Sequence, residues 1–234
     1  MHPLIQILIG IFIADYFIAF FHWFEDTYFS YCMKIPIISA IAKDNEMHHY
    51  YPRDIVSYSY FENMSVTLPL SICICIIIFA ISPSFFCAYK YMIIAFFILG
   101  SVSNIFHKFT HMRDCECPSI IKALQNMGVL IKSSHHKKHH DQPSHKYGVI
   151  FPFTNYILDT IGAWRALEAM IFLMFGIKAT VKLPYSDYVD AVKYTSYHEN
   201  SVKNPCPSKL TYEQLEDLKQ HLGNFYRCGV TSNL

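Results

Sequence analysis

The stretch Pro3–Phe21, PLIQILIGIFIADYFIAFF, is apolar apart from Gln6 and Asp15 and runs directly into His22. At 1.5 Å per residue it spans roughly 28 Å as a helix, close to the ~30 Å hydrocarbon core of a bilayer. A cleaved leader would need basic residues before the apolar run and small residues at a cleavage site. The sequence has neither there, so the run reads as a retained membrane span.

Two further apolar runs follow, Val66–Ile81 and Phe85–Phe106, separated by Ser82-Pro83-Ser84. Starting the first at Met64 brings it to spanning length, and the Ser-Pro-Ser step reads as a tight turn. The competing reading is a buried hairpin in a soluble core. Composition argues against it: 53% of the 234 residues are hydrophobic and 16% charged, where soluble domains carry about 25% charged residues. The expected fold is therefore all-α and multi-pass, with three spans. Val149–Phe175 reads as an interfacial or re-entrant segment, with a fourth span as the alternative. Residues 1–176 form the membrane domain, and 177–234 a polar tail with one amphipathic helix, started by a capping box at Thr211–Gln214 and stopped at Gly223.

Three spans fix a geometry. The first crosses the bilayer and ends at His22, and the hairpin of the second and third returns the chain to the same side. Every histidine from His22 to His145 then shares one membrane face. Lys34, Lys43, Arg53, Lys108, Arg113 and Lys122 lie there too, against Lys90 alone at the hairpin tip. The positive-inside rule makes that face cytosolic. The eight cysteines are scattered, their closest pairs spaced C-x-C, and read as reduced thiols rather than a disulfide framework. A net charge of +1 gives no reason to expect nucleic acid as a partner.

Of 13 histidines, only His2, His198 and His221 lie outside the interval from His22 to His145. Helical residues at i and i+4 share a face with Cβ atoms about 5–6 Å apart, so paired imidazoles there can grip one cation. His107/His111, His135/His139 and His136/His140 have this spacing. Singly, His22 could be an interfacial polar group, His48-His49 a solvated loop, and His135–His140 a basic patch facing anionic lipid. Together on one face, eight or more imidazoles exceed what one metal takes and point to two. Thiolate-free, imidazole-rich coordination suits iron, copper, zinc or nickel. No H-E-x-x-H or G-x-S-x-G occurs, which removes the zinc peptidase and serine hydrolase readings. Asp15, costing about 2.5–3.5 kcal/mol inside a span, needs a partner or a task; it and Asp26 are candidate catalytic carboxylates.

Several motifs, in order, resemble the plasmanylethanolamine desaturase (Kua) family of lipid desaturases. They are Asp15-Tyr-Phe…His22-Trp-Phe-Glu-Asp26-Thr27, Glu46-Met-His48-His49, His107-Lys108-Phe-Thr-His111, His135-His136-Lys-Lys-His139-His140 and Asn155-Tyr-Ile-Leu-Asp159…Trp164-Arg-Ala-Leu-Glu168. The resemblance covers about residues 10–176. It implies an O2-dependent enzyme of the endoplasmic reticulum or another intracellular membrane, with two non-haem iron ions and a cytochrome b5-type electron donor. The implied ligands are His22, His48, His49, His107, His111, His136, His139 and His140, with His135 and His145 behind them. Animal members carry further histidines where this chain has Tyr58 and Gly128, and a further N-terminal span. The expected substrate is an ether phospholipid desaturated to a vinyl ether, its chain entering past Phe12, Phe17, Phe20 and Phe21. Phospholipid acyl desaturation and lipid hydroxylation are the nearest alternatives. A histidine-rich metal-binding or transport protein is the alternative of another class, disfavoured because the second and third spans hold no ionisable group apart from Lys90.

Overall fold

The computed structural model describes residues 1–29, 33–50 and 52–179. Among them are eleven helices and no strand. Helix α1, Pro3–Tyr28, starts with proline at its first position and with the His2 ring accepting from the Leu4 amide, a start that suits proline's fixed φ and missing N–H. It does not stop at the end of the apolar run but continues for two turns, carrying His22 and Asp26 on the same rigid element. Helix α2 (Pro36–Tyr50) brings His48 and His49 in its last turn, and α3 (Asp54–Ser57) leads to α4 (Tyr60–Ile81). Ser59 and Glu62 close a reciprocal capping box that fixes where α4 begins.

Ser82 ends α4 and caps α5 (Pro83–Ala88), so the Ser-Pro-Ser step is a helix-to-helix junction rather than an isolated turn. The third apolar run is broken. Helix α6 (Lys90–Ser101) and α7 (Ser103–His111) meet at Val102 with a 40° bend. The bend redirects α7, an amphipathic segment carrying His107 and His111, away from the axis of α6. By length and composition α1 and α4 can each cross a membrane, and the bent α6–α7 pair adds a third when it is counted as one span. Val149–Phe175 contains two short helices, α10 (Pro152–Thr160) and α11 (Ala163–Phe175), parted at left-handed Gly162, and neither is by itself long enough to cross a membrane. Only 6% of the apolar window of α4 is buried by protein, which a soluble hairpin core would not allow. Ile72, Ile76, Ile77 and Phe79 face outward and need lipid against them.

Helix α1 packs closely on α6. At Gly10 a Cβ would fall 2.3 Å from the Met92 carbonyl oxygen, so only glycine permits this approach. Asp15 is fully buried in α1 and accepts a hydrogen bond from Thr154 of α10, which gives the carboxylate its partner and ties α10 to the span. Beyond α7, α8 (Ser119–Asn126) and α9 (Ser133–Asp141) complete the cap. Trp23, Tyr147 and Trp164 pack with Ala19 into a buried cluster beneath it. One cysteine departs from the all-thiol expectation: Cys115 is disulfide-bonded, while Cys73, Cys75, Cys87 and Cys117 are free. Sequence spacing alone does not fix which thiols pair. The tail helix expected near 211–223 lies outside the described residues.

Candidate metal centre

Four elements deliver imidazoles to one place. His22 comes from α1, His48 and His49 from α2, His107 and His111 from α7, and His136, His139 and His140 from α9. They form two groups whose donor atoms lie within 4.8 Å of one another: His48, His107, His111, His136 and His140, and His22, Asp26, His49 and His139. All eight histidines of the expected set are here, and Asp26 joins them. His135 and His145 lie outside both groups. His135 Nε2 accepts from the Asn155 amide at 3.3 Å, and the His145 carbonyl accepts from His139. Asp15 stands seven residues below His22 and enters neither group.

In the five-imidazole group the Nε2 atoms converge. His107 Nε2 lies 3.1 Å from that of His48, 2.9 Å from that of His136 and 3.2 Å from that of His111, and His140 Nε2 lies 3.2 Å from that of His136. A neutral imidazole has one N–H, so so many nitrogens facing inward cannot all be satisfied by donating to one another. The spacings do match those between ligands about 2.0–2.1 Å from a shared ion, roughly 2.9–3.4 Å apart for octahedral to tetrahedral arrangements. Burial first, and neighbouring imidazoles second, push His48, His136 and His140 well below the ordinary histidine range. They are neutral at pH 7, the form in which imidazole binds a cation.

The second group is built around a carboxylate. Asp26 Oδ1 lies 3.1 Å from His49 Nε2, and Oδ2 lies 3.2 Å from His139 Nε2 and 3.7 Å from His22 Nε2. Asn45 donates to Oδ1 at 2.7 Å. His22 and His139 each donate Nδ1–H to a backbone carbonyl at 2.8 Å, of Tyr147 and His145 respectively. These bonds fix the tautomer and leave both Nε2 lone pairs aimed inward, buried and without a hydrogen-bond partner. Between the two carbonyls stands Lys146, whose φ of 61° turns the chain so that both point at the site. No motif flagged Tyr147 or Lys146, because their contribution is backbone; a non-glycine left-handed residue has no sequence signature. Asn155 fastens this turn from behind through both Gly148 backbone groups.

A cavity of about 450 Å³ runs from this centre between α1, α4 and α6. His22, His48 and His107 stand at one end, and Ala14, Ile74 and Phe96 mark its far reach on the three helices. Glu25, Asp54, Glu62 and Asn63 border the histidine end. Phe17 and Phe21 line it as expected, whereas Phe12 packs edge-on against Phe153 and Phe20 against Trp23. Tyr58, standing where animal members have a histidine, lines the cavity and donates to Asp54. Gly128 takes φ 75° in open space, a turn position away from the centre.

These features define a class: a helical membrane protein with two adjoining imidazole-rich groups able to hold ions, open to an apolar cavity. The sequence comparisons resolve the class to a family. The lipid desaturase domain matches over residues 11–182, and the chain belongs to the lipid desaturase family. It is 28% identical over 200 residues to a probable fatty acid desaturase of Acanthamoeba polyphaga mimivirus, covering 81% of this chain and 92% of that protein. It is 29% identical to the chloroplastic fatty acid desaturase 4-like 1 of Arabidopsis thaliana, covering 81% of this chain and 64% of that one. To plasmanylethanolamine desaturase 1 of Mus musculus it is 28% identical over 197 residues, covering 75% and 67%. No solved structure matches.

Proposed function

We propose that this lipid desaturase holds two iron ions in the two groups and converts the alkyl chain of an ether phospholipid to a vinyl ether. The observation that carries the reading is the apolar cavity meeting both groups, since His22 belongs to one and His48 and His107 to the other. Bound iron would supply reductive activation of O2 to an oxidant able to take hydrogen from an unactivated carbon. The reaction balances as CH2–CH2 plus O2, two electrons and two protons giving CH=CH and two waters. The protein's part is placement. Along α1, Ala14 lies eight residues from His22, so the cavity accepts roughly 12 Å of extended hydrocarbon beyond the ions. At about 1.2 Å per bond that is some ten carbons. That depth houses the part of the chain next to the reacting carbons, and the rest of a common lipid chain extends past Ala14 toward the bilayer.

Acyl desaturation of a phospholipid is the second reading, favoured by the likeness to the chloroplastic desaturase; an acyl chain meets the same geometry. Hydroxylation with the same ions is separated by its product. The membrane is that of the endoplasmic reticulum or a related compartment, with the centre on the cytosolic side, as the basic residues argue. The Cys115 disulfide is the feature that pulls the other way. A cytochrome b5-type protein supplies the electrons. The test is expression in cells lacking vinyl-ether lipids, beside a His136→Ala control. New vinyl ethers support the reading. Well-folded protein giving new acyl double bonds alone shifts the substrate to the second reading, and purified protein holding zinc without iron sinks both.

A further inference from the structure

The proposed reaction is short of two electrons: the lipid yields two and O2 takes four. A carrier must deliver the rest to ions that protein surrounds on most sides. Helix α9 forms one of the walls. His136, His139 and His140 are buried on its inner face, while Lys137 and Lys138 are exposed on its outer face. An α-helix with its side chains is only about 10–12 Å across. Beside α9 lies a surface concavity of about 560 Å³, bordered by Lys146, Tyr156, Asp159, Trp164 and Arg165. From its floor the Trp164 ring lies 4.9 Å, centroid to centroid, from the Tyr147 ring, which lies 4.9 Å from the ring of His139. Aromatic rings thus connect the concavity to the carboxylate-containing ion group without a saturated gap larger than van der Waals contact.

We propose that the outer face of α9 with this concavity is the docking surface for an acidic one-electron carrier protein, and that Trp164 and Tyr147 are the route inward. This rests on the desaturase reading. Charge favours such a partner. Asp159 is turned to internal work, accepting from the Lys146 amide and the Trp164 indole, and Arg165 is paired with Glu168. Lys137, Lys138 and Lys146 enter no ion pair among the described residues and stand against exposed Asp141. Exposed Tyr156 and Ile161 supply an apolar border. A membrane surface would use the lysines but not the rings leading inward.

The test uses iron-loaded protein in nanodiscs and follows oxidation of the reduced soluble domain of cytochrome b5 by stopped flow. Lys137→Glu with Lys138→Glu should slow transfer about tenfold and flatten its salt dependence. Iron content and the rate of reduction by dithionite should stay as in the parent. Trp164→Phe, which keeps a ring but shrinks it, should slow transfer at saturating carrier without changing its salt dependence. Unchanged carrier rates in the double lysine variant overturn the proposal. So does loss of binding to anionic vesicles with carrier rates intact, which assigns the face to lipid. Iron that dithionite reduces while the variants behave as parent leaves the desaturase reading standing; protein with no reducible iron sinks both.

Discussion

In the group of His48, His107, His111, His136 and His140 every donor is an imidazole, whereas His22, His49 and His139 gather around the Asp26 carboxylate. Their support differs as much as their chemistry. The Nδ1 atoms of His22 and His139 are held by the Tyr147 and His145 carbonyls, and Asp26 by Asn45. The Nδ1 atoms of His48, His136 and His140 are buried with no hydrogen-bond partner among the described residues, and their Nε2 atoms crowd one another. One group is organised by the protein's own hydrogen bonds and carries a charge to offset an ion. The other is organised by what it would bind, because without a cation its lone pairs face each other at 2.9–3.2 Å. The difference teaches which half should depend on metal for its order.

The largest expected effect comes from the centre of the metal-dependent half. His136 touches both His107 and His140, so His136→Ala should empty that group and lower product formation by at least ~100-fold, beyond what loss of a supporting residue costs. Its neighbour provides the control. His135→Ala removes only a contact to Asn155 and should keep both ions. Full metal content in the His136 variant, measured by elemental analysis, would mean the five imidazoles do not form an ion site.

Asp26→Asn breaks the other half selectively. The amide preserves size and loses the charge around which three imidazoles gather. Iron affinity at that group should fall about 10–100-fold, so chelator titration should show one ion leaving early and one at the parental position. Two ions leaving together would show that the groups do not act as separate sites.

Chelation sharpens the contrast through pH. In the metal-free fold, burial and neighbouring imidazoles keep His48, His136 and His140 neutral well below their ordinary value of 6.5. In the unfolded chain the same groups take up protons near 6.5, so the unfolded state binds more protons below that value. Stability then falls as pH drops from about 6.5. Chelated protein in detergent should lose several degrees of Tm between pH 7.5 and 5.5, whereas iron-loaded protein should hold its Tm until the metal leaves. Equal pH dependence in both forms would show that these imidazoles are not what the ion relieves.

How much of this was legible beforehand follows from what sequence records. The spans were readable because lipid demands a long apolar run, and the histidine set because i, i+4 spacing and motif order survive in one dimension. Asp26 was visible only as a candidate catalytic carboxylate, not as a member of the metal group, since nothing in its spacing says that α2 and α9 will close around it. The bend at Val102 could not be read, because the apolar run continues through it. Nor could the carbonyls of His145 and Tyr147, which are backbone atoms aimed by a turn at Lys146 that no residue type announces.

The smallest expected effect probes the outer support of the five-imidazole half. Arg53 donates to the His111 carbonyl at 3.1 Å and forks onto Glu116 at 2.6 and 3.1 Å, while the Arg113 amide donates to Glu116 at 2.8 Å. Burial alone would raise the Glu116 carboxyl, but these donors hold it below its ordinary 4.5. The clamp therefore contributes stability above about pH 4.5 and loses it as pH falls further. Arg53→Lys keeps the charge but cannot hold the carboxylate and the His111 carbonyl with one planar fork. The expected cost is about 1 kcal/mol. Because the clamp grips the end of α7, that cost should appear as a few-fold weaker ion at the group containing His111, with the Asp26 group unchanged in the same chelator titration. Equal weakening of both would mean that α7 positions the whole centre rather than one half of it, and the division drawn between them would have to be redrawn around the helices instead of the donors.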